Sequence, residues 1–463
     1  MAELPRLPTR SVGLKFLLIC VLTLVMAIPT YSIYLVLQDR LNRYDSVRIE
    51  MSKYEGGMQT ILGPVLLVPY TKNVQRDDKD KTIVTLRGES VVFPETGDAD
   101  AKLAAEERKR SIYTIPTYRS QIAVKARFDP EQAAAALAAL DPAAKYDWPK
   151  ARLAMGVSNT VGLLKDITLT LPAGERRVVK PASFTAEPAP PADGVYRPAG
   201  VDAGGFSIVS APVGDLVQPR AALDVRTNLE LSGAERFSVA PFAKDTTARV
   251  AAQWPHPSFD GGFLPTKREI TAAGFTAEWN APSVRRGIPE VGQSASILAQ
   301  MPQKDFGVRL TEPTNIYTGV NRALKYSLMF IGLVFVVYFM FEVVSGARAH
   351  PAQYIMVGLA QGVFYLLLLA FAEQIGFTPA FVAAAGATVA LLSLYVRVVF
   401  RTAKYVVPAL VTFTLVYALM YVLMEAEDYS LLVGALMSFS ALAALMYLTR
   451  NVAWYGPGDR ERA

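Results

Sequence analysis

Five apolar stretches of about 20 residues each crowd the last third of this 463-residue chain, at 326–344, 352–372, 376–396, 405–424 and 429–449. A sixth, 16–38, is free of charge from end to end near the start. A helix needs about 20 apolar residues to cross a hydrocarbon core of about 30 Å. At 1.5 Å per residue, 16–38 reaches about 34 Å. Buried helices of a water-soluble protein would carry polar faces, and these segments have none. The sequence therefore predicts six membrane-spanning helices. Pro29 predicts a kink in the first, which a membrane helix tolerates. A cleaved signal peptide is the competing reading of 16–38. Its apolar core would be shorter, about 7–15 residues, and followed by small residues. Here Tyr31 to Leu37 stay bulky, so an uncleaved anchor is expected.

Orientation follows from the short loops. If the N-terminus is cytoplasmic, residues 1–15 and the tail 450–463 carry Arg6, Arg10, Lys15, Arg450, Arg460 and Arg462 on that side. The inner loops add Arg348, Arg397, Arg401 and Lys404. The two short outer loops carry Glu373, Glu425, Glu427 and Asp428, with no Lys or Arg. Cations gather on the cytoplasmic side of inserted segments, so both termini are expected inside and 39–325 outside, in the periplasm of a Gram-negative cell. Tyr326, Tyr405, Tyr429, Tyr447 and Trp454 stand at span ends, where amphipathic rings prefer the interface.

Charge and cysteine usage remove other classes. The formal charge of +6 invites a nucleic-acid reading, but 39–325 holds 37 basic against 33 acidic residues. The excess belongs to membrane topology. A single cysteine, Cys20, excludes an intrachain disulfide, and two histidines leave little for a multi-histidine metal site. No cofactor-binding motif is present: Walker and dinucleotide patterns are both missing.

Region 39–325 reads as β-rich, of sandwich type. Short, β-branched stretches near period two occur at 82–86, 121–127, 166–171, 222–231 and 246–251. Residues 269–273 and 274–279 read as the arms of a hairpin. One stretch, 130–140, reads as a helix capped by Asp129 with proline at its first position. The Pro-rich stretch 187–194 reads as a surface loop. Segments 39–52 and 311–324 read as short polar linkers to the membrane.

The most distinctive motif is 254–265, WPHPSFDGGFLP. His256, Ser258 and Asp260 invite a hydrolase, yet at i, i+2 and i+4 of one strand they would not converge as a triad must. Trp254, Phe259 and Phe263, with three prolines and two glycines, instead predict a turn locked by aromatic packing, with His256 and Asp260 beside it. The motif is the candidate interaction or structural element. Glu342 and Glu373 are the candidate intramembrane polar residues. Glu342 falls about 16 residues into its span, roughly 24 Å from the outer side, and Glu373 closes the next span. Carboxylates in membrane spans are functional candidates by default, which keeps transport of a lipid or small solute as the alternative. Gly358 and Gly362 form a G-x-x-x-G suited to close helix contact.

Several stretches together resemble the CreD family of bacterial inner-membrane proteins. They are 10–15 (RSVGLK), 62–70 (LGPVLLVPY), 254–265, 274–279 (GFTAEW), 341–344 (FEVV), 350–354 (HPAQY), 373–377 (EQIGF), 427–432 (EDYSLL) and 447–454 (YLTRNVAW). The resemblance covers nearly the whole chain. It implies a non-enzymatic role in cell-envelope integrity, tied to a Cre-type two-component system and to envelope-stress and β-lactam responses. It supplies no catalytic residues. The large tethered region without a catalytic cluster leads to the expectation of contact with the lipid bilayer and with periplasmic or membrane envelope proteins.

Overall fold

The computed structural model describes residues 12–75, 83–183, 205–217, 221–311, 316–346, 349–425 and 430–450. They form two compact units, Met1–Asp45 with Thr314–Ala463, and Ser46–Pro313. Arg6, Arg10, Arg348, Glu427, Asp428, Tyr429, Trp454, Arg460, Arg462 and the loop 187–194 lie outside the described residues.

The first unit is helical. Among the described residues, five helices are long and apolar enough to cross a membrane: Gly13–Tyr54, Ser327–Ser345, Pro351–Ile375, Phe377–Phe400 and Ala403–Glu425. A further helix, Ser430–Thr449, carries no charged residue. The first helix is interrupted once, between Val12–Val25 and Ala27–Tyr54. Pro29 has no N–H for the carbonyl of Val25, so the hydrogen-bond ladder loses a rung there. The chain stays helical because Thr30 N and Thr30 Oγ1 both donate to Met26 O, at 3.3 and 2.9 Å.

The described parts of both expected linkers are largely helical. Residues 39–52 continue the first helix to Tyr54. They are mostly straight-chain and charged side chains, which lose little rotamer freedom in a helix. The helix stops at Gly56 and Gly57, both at positive φ (92° and 73°), where Gly57 N bonds Ser52 O at 2.7 Å. In the second, the helix Ile316–Lys325 buries Tyr317, Val320, Ala323 and Leu324 on one face. That spacing is a helical stripe, which the polar residues between had obscured.

The helix Pro351–Ile375 starts on a capping box. His350 Nδ1 accepts from Ala352 N at 3.2 Å, and Gln353 Oε1 accepts from His350 N at 2.8 Å. Only Gly376, at φ 83°, separates it from Phe377–Phe400. Gly358 faces the first helix: a Cβ there would lie 2.5 Å from Met26 Sδ and 2.9 Å from Phe335 Cζ. Gly362 lies one turn on, with Ile33 Cδ1 4.0 Å from where its Cβ would be. The first glycine of the G-x-x-x-G, Gly358, thus lets the first helix pack closely within this unit.

The second unit is two sheets around one apolar core. The ten-stranded sheet runs Pro257–Gly261, Phe306–Leu310, Arg236–Ala240, Gln59–Gln75, Arg152–Val157, Ser207–Pro212, Lys180–Pro181. Its strands Ile83–Val92 and Ala144–Tyr146 pair with the outer part of Gln59–Gln75, and Val291–Gln293 pairs with Ile83–Val92. Residues Ile61 to Val68 are buried on both faces, which explains the unbroken apolar run ILGPVLLV in this central strand. The eight-stranded sheet runs Lys267–Thr271, Gly274–Pro282, Asp245–Ala252, Thr96–Arg110, Tyr113–Phe128, Leu223–Ala234, Thr168–Thr170, Arg176–Val178. Its strands Tyr113–Phe128, Leu223–Ala234 and Asp245–Ala252 alternate buried and exposed residues, one face on the core and one in solvent. The hairpin and the Asp129-capped helix Pro130–Leu140 stand where the sequence predicts them. Asp129 Oδ1 accepts from Glu131 N and Gln132 N, both at 3.1 Å.

The motif 254–265 differs from its expectation. It is not a turn throughout. Pro257–Gly261 is the edge strand of the ten-stranded sheet, paired with Phe306–Leu310. Proline is tolerated at the first position of an edge strand. The turn begins only at Gly261, where φ is 103° and a Cβ would lie 2.3 Å from Asp305 O.

Candidate functional site

The motif's aromatic rings point inward. Trp254 and Phe263 are buried, and Trp254 Nε1 donates to Thr311 O at 3.1 Å. Phe259 meets Phe275 and Trp279 edge-on, each at 5.7 Å between ring centres, and Phe263 meets Phe306 at 5.7 Å. Trp279 Nε1 closes the set by donating to Phe263 O at 3.2 Å. These rings fill the space between the edge strand and the hairpin of the other sheet. Each edge-on pair adds about 1 kcal/mol beyond its buried area.

The motif's polar residues part company. His256 and Ser258 are exposed. Asp260 turns to Arg236, whose Nε donates to Asp260 Oδ1 at 2.8 Å, and to Arg309 at 3.4 Å. Arg236 also grips Asp305 with two nitrogens, at 2.6 and 3.0 Å, and Ser238 Oγ donates to Asp305 at 2.8 Å. Burial alone would lower the pKa of Arg236, but its bonds to Asp305 and Asp260 outweigh that and hold it above the ordinary value. The carboxylate of Asp260 is therefore a staple across three strands, remote in chemistry from a general base. The sequence contained no sign of Arg236 as its counterpart, because the two meet only through strand pairing.

Glu342 holds a different position. It is buried, and three donors converge on its carboxylate: Lys15 Nζ on Oε1, Ala349 N on Oε1 at 3.2 Å, and Tyr354 OH on Oε2 at 2.9 Å. Lys15 Nζ also donates to Ala349 O at 2.8 Å. The cluster ties the first helix to the ends of Ser327–Ser345 and Pro351–Ile375. A buried carboxylate is tolerable only when paired and hydrogen-bonded, and this one is both. Sequence inspection finds Lys15 as a topology signal and misses it as the partner, since 327 positions separate the two. Glu373, half-buried, accepts from Tyr317 OH at 3.2 Å and lies 3.7 Å from Arg40 Nε. Tyr44 packs on Tyr317 at 5.9 Å. Glu342 and Glu373 do not meet; each has its own partners.

One buried charge escaped sequence reading altogether. Arg286 has no exposed surface, lies 4.2 Å over the Phe93 ring, and donates to the carbonyls of Ala243, Ile288 and Pro289 at 2.9 to 3.4 Å. Burial pushes its pKa down to about 10. It gathers three loop carbonyls that have no ladder partner. Among the described residues, no three His, Cys, Asp or Glu side chains converge as a metal site would require.

The chain matches a family model described as inner membrane protein CreD over residues 11–455. It is 30% identical over 434 residues to inner membrane protein CreD of Escherichia coli (strain K12), covering 93% of this chain and 91% of that protein. Multiple apolar helices, a large β-rich unit and a match that runs through both lead to one assignment: the chain belongs to the CreD family of multi-pass inner-membrane proteins.

Proposed function

We propose that this protein is a non-enzymatic support of the cell envelope: a six-helix membrane bundle that displays the β-rich unit in the periplasm, with both termini in the cytoplasm, and acts in envelope-stress and β-lactam responses. Its partners are the bilayer and other envelope proteins. The observation that carries the reading is the fate of the intramembrane carboxylates. Glu342 and Glu373 are both engaged by the chain's own Lys15, Tyr354, Ala349, Tyr317 and Arg40. A transporter uses such groups to hold ions or substrate at mid-depth; here they fasten helices. The topology rests on the placement of cations in the short loops.

The test uses the single native thiol. In a Cys20→Ser background, Lys109→Cys (on the exposed tip of a hairpin in the β unit) reacts with a membrane-impermeant maleimide in intact spheroplasts, and Lys404→Cys reacts only after permeabilisation. The reverse pattern refutes the topology. Supplying the full chain restores β-lactam and detergent tolerance to cells that lack it; correct labelling with no change in tolerance leaves the topology standing and removes the envelope role.

A further inference from the structure

The solvent face of the eight-stranded sheet is not uniform. Strand register aligns its outward side chains in rows across the strands. One row reads Lys267, Glu278, Arg249, Asp100. It is self-paired: Lys267 to Glu278 at 3.7 Å, Arg249 to Glu278 at 3.3 Å, Arg249 to Asp100 at 3.5 Å. The next row reads Glu269, Thr276, Ala251, Lys102, Gln121, Glu230. Beyond it lie Thr271 and Gly274, then Ala104 opposite Arg119. Three adjacent strands thus shed side-chain volume toward the same end: Arg249 gives way to Ala251, Glu278 to Thr276 and Gly274, Asp100 to Ala104.

The result is a trough of about 870 Å³ floored by Ala104, Ala251, Thr276 and Gly274. Small-molecule sites span about 300–1,000 Å³. Its rim is charged and unpaired. Among the described residues, no ion pair or hydrogen bond engages the side chains of Lys102, Arg119 or Glu269, whereas Glu230 is held by Lys165 at 2.7 Å. The two cations stand together on neighbouring strands, and Glu269 stands across the floor, three strands from Lys102. At about 4.8 Å per strand that is roughly 14 Å between backbones. A sheet face that needed only solubility would pair these charges as the neighbouring row does.

We propose that this trough binds a short peptide with a free carboxylate and a free amine: Lys102 and Arg119 take the carboxylate, Glu269 takes the ammonium group, and the Ala and Gly floor admits small side chains. Its span suits three or four extended residues, at about 3.4 Å each. The exposed amides of Gln121 and Gln253 at the rim offer both donors and acceptors to the peptide backbone. The site is independent of which compartment the unit occupies, so its test and that of the topology fail separately.

The test is calorimetric titration of the purified full chain in detergent with tetra-alanine at low salt. Free-ended tetra-alanine binds; C-terminal amidation or N-terminal acetylation each weakens binding about tenfold, the loss expected for one charge-assisted contact. Lys102→Gln with Arg119→Gln weakens the free peptide and abolishes the effect of amidation, and Glu269→Gln abolishes the effect of acetylation. Ala104→Arg, which fills the floor from an exposed position, removes binding while the thermal midpoint holds. Equal affinity for free and capped peptides, undiminished binding by these variants, or no binding of tetra-alanine at millimolar concentration overturns the proposal.

Discussion

The buried carboxylates of this protein are held by partners that come from distant sequence. Glu342 with Lys15 is the plainest case. Removing one member of a buried ion pair leaves the other uncompensated, which costs about 3 kcal/mol, whereas removing both costs far less. Glu342→Ala therefore lowers the thermal midpoint of the full chain in detergent, and Lys15→Met combined with Glu342→Met recovers most of it. A single variant as stable as the parent shows that the pair carries no weight. Asp141 supplies a pH-dependent counterpart in the β unit. The hydrogen bond from Lys72, at 2.8 Å, holds its carboxyl below the ordinary 3.8. A depressed folded-state pKa means stability that is present above the ordinary value and lost as pH falls through the folded one. Asp141→Asn is consequently less stable than the parent at neutral pH, and the two converge in acid, below the ordinary Asp range; a gap that persists or widens there contradicts the assignment.

At the scale of elements, helix identity was easier to read than helix extent. Charge-free runs of 20 residues announce themselves by length alone. The segments 39–52 and 311–324 did not, because polar composition resembles a linker until the periodicity of Tyr317, Val320 and Leu324 is counted. The edge strand Pro257–Gly261 was hidden for a related reason: proline and glycine mark turns by composition, yet an edge strand accepts both. Gly358 provides a test of element packing. Its Cβ position is already occupied by Met26 and Phe335, so Gly358→Leu forces the first helix away and costs about 1–3 kcal/mol. Gly362→Ala, with nothing nearer than 4.0 Å, is tolerated. Equal midpoints for the two variants exclude close packing at Gly358.

For the whole molecule, the division into a helical unit and a β-rich unit follows from where apolar residues fall. Continuous runs make helices that need no polar face, and alternating ones make strands that bury one side. That much is a property of local order along the chain, and it is why two sheets with a shared core could be expected without knowing their strand order. The chain's membership of the CreD family was likewise legible, from short motifs spread across both units.

Local sequence determined the span-length helices, the cap at Asp129, the hairpin at Gly274 and the lost hydrogen bond at Pro29, because each depends on residues within a few positions of one another. The tertiary structure alone decided that Asp260 pairs with Arg236, that Lys15 meets Glu342, that Arg286 collects three carbonyls, and that Lys102, Arg119 and Glu269 surround one hollow. Those groupings depend on strand register and helix packing, which bring together residues as far apart as Lys15 and Glu342, 327 positions, and leave no periodic trace along the chain.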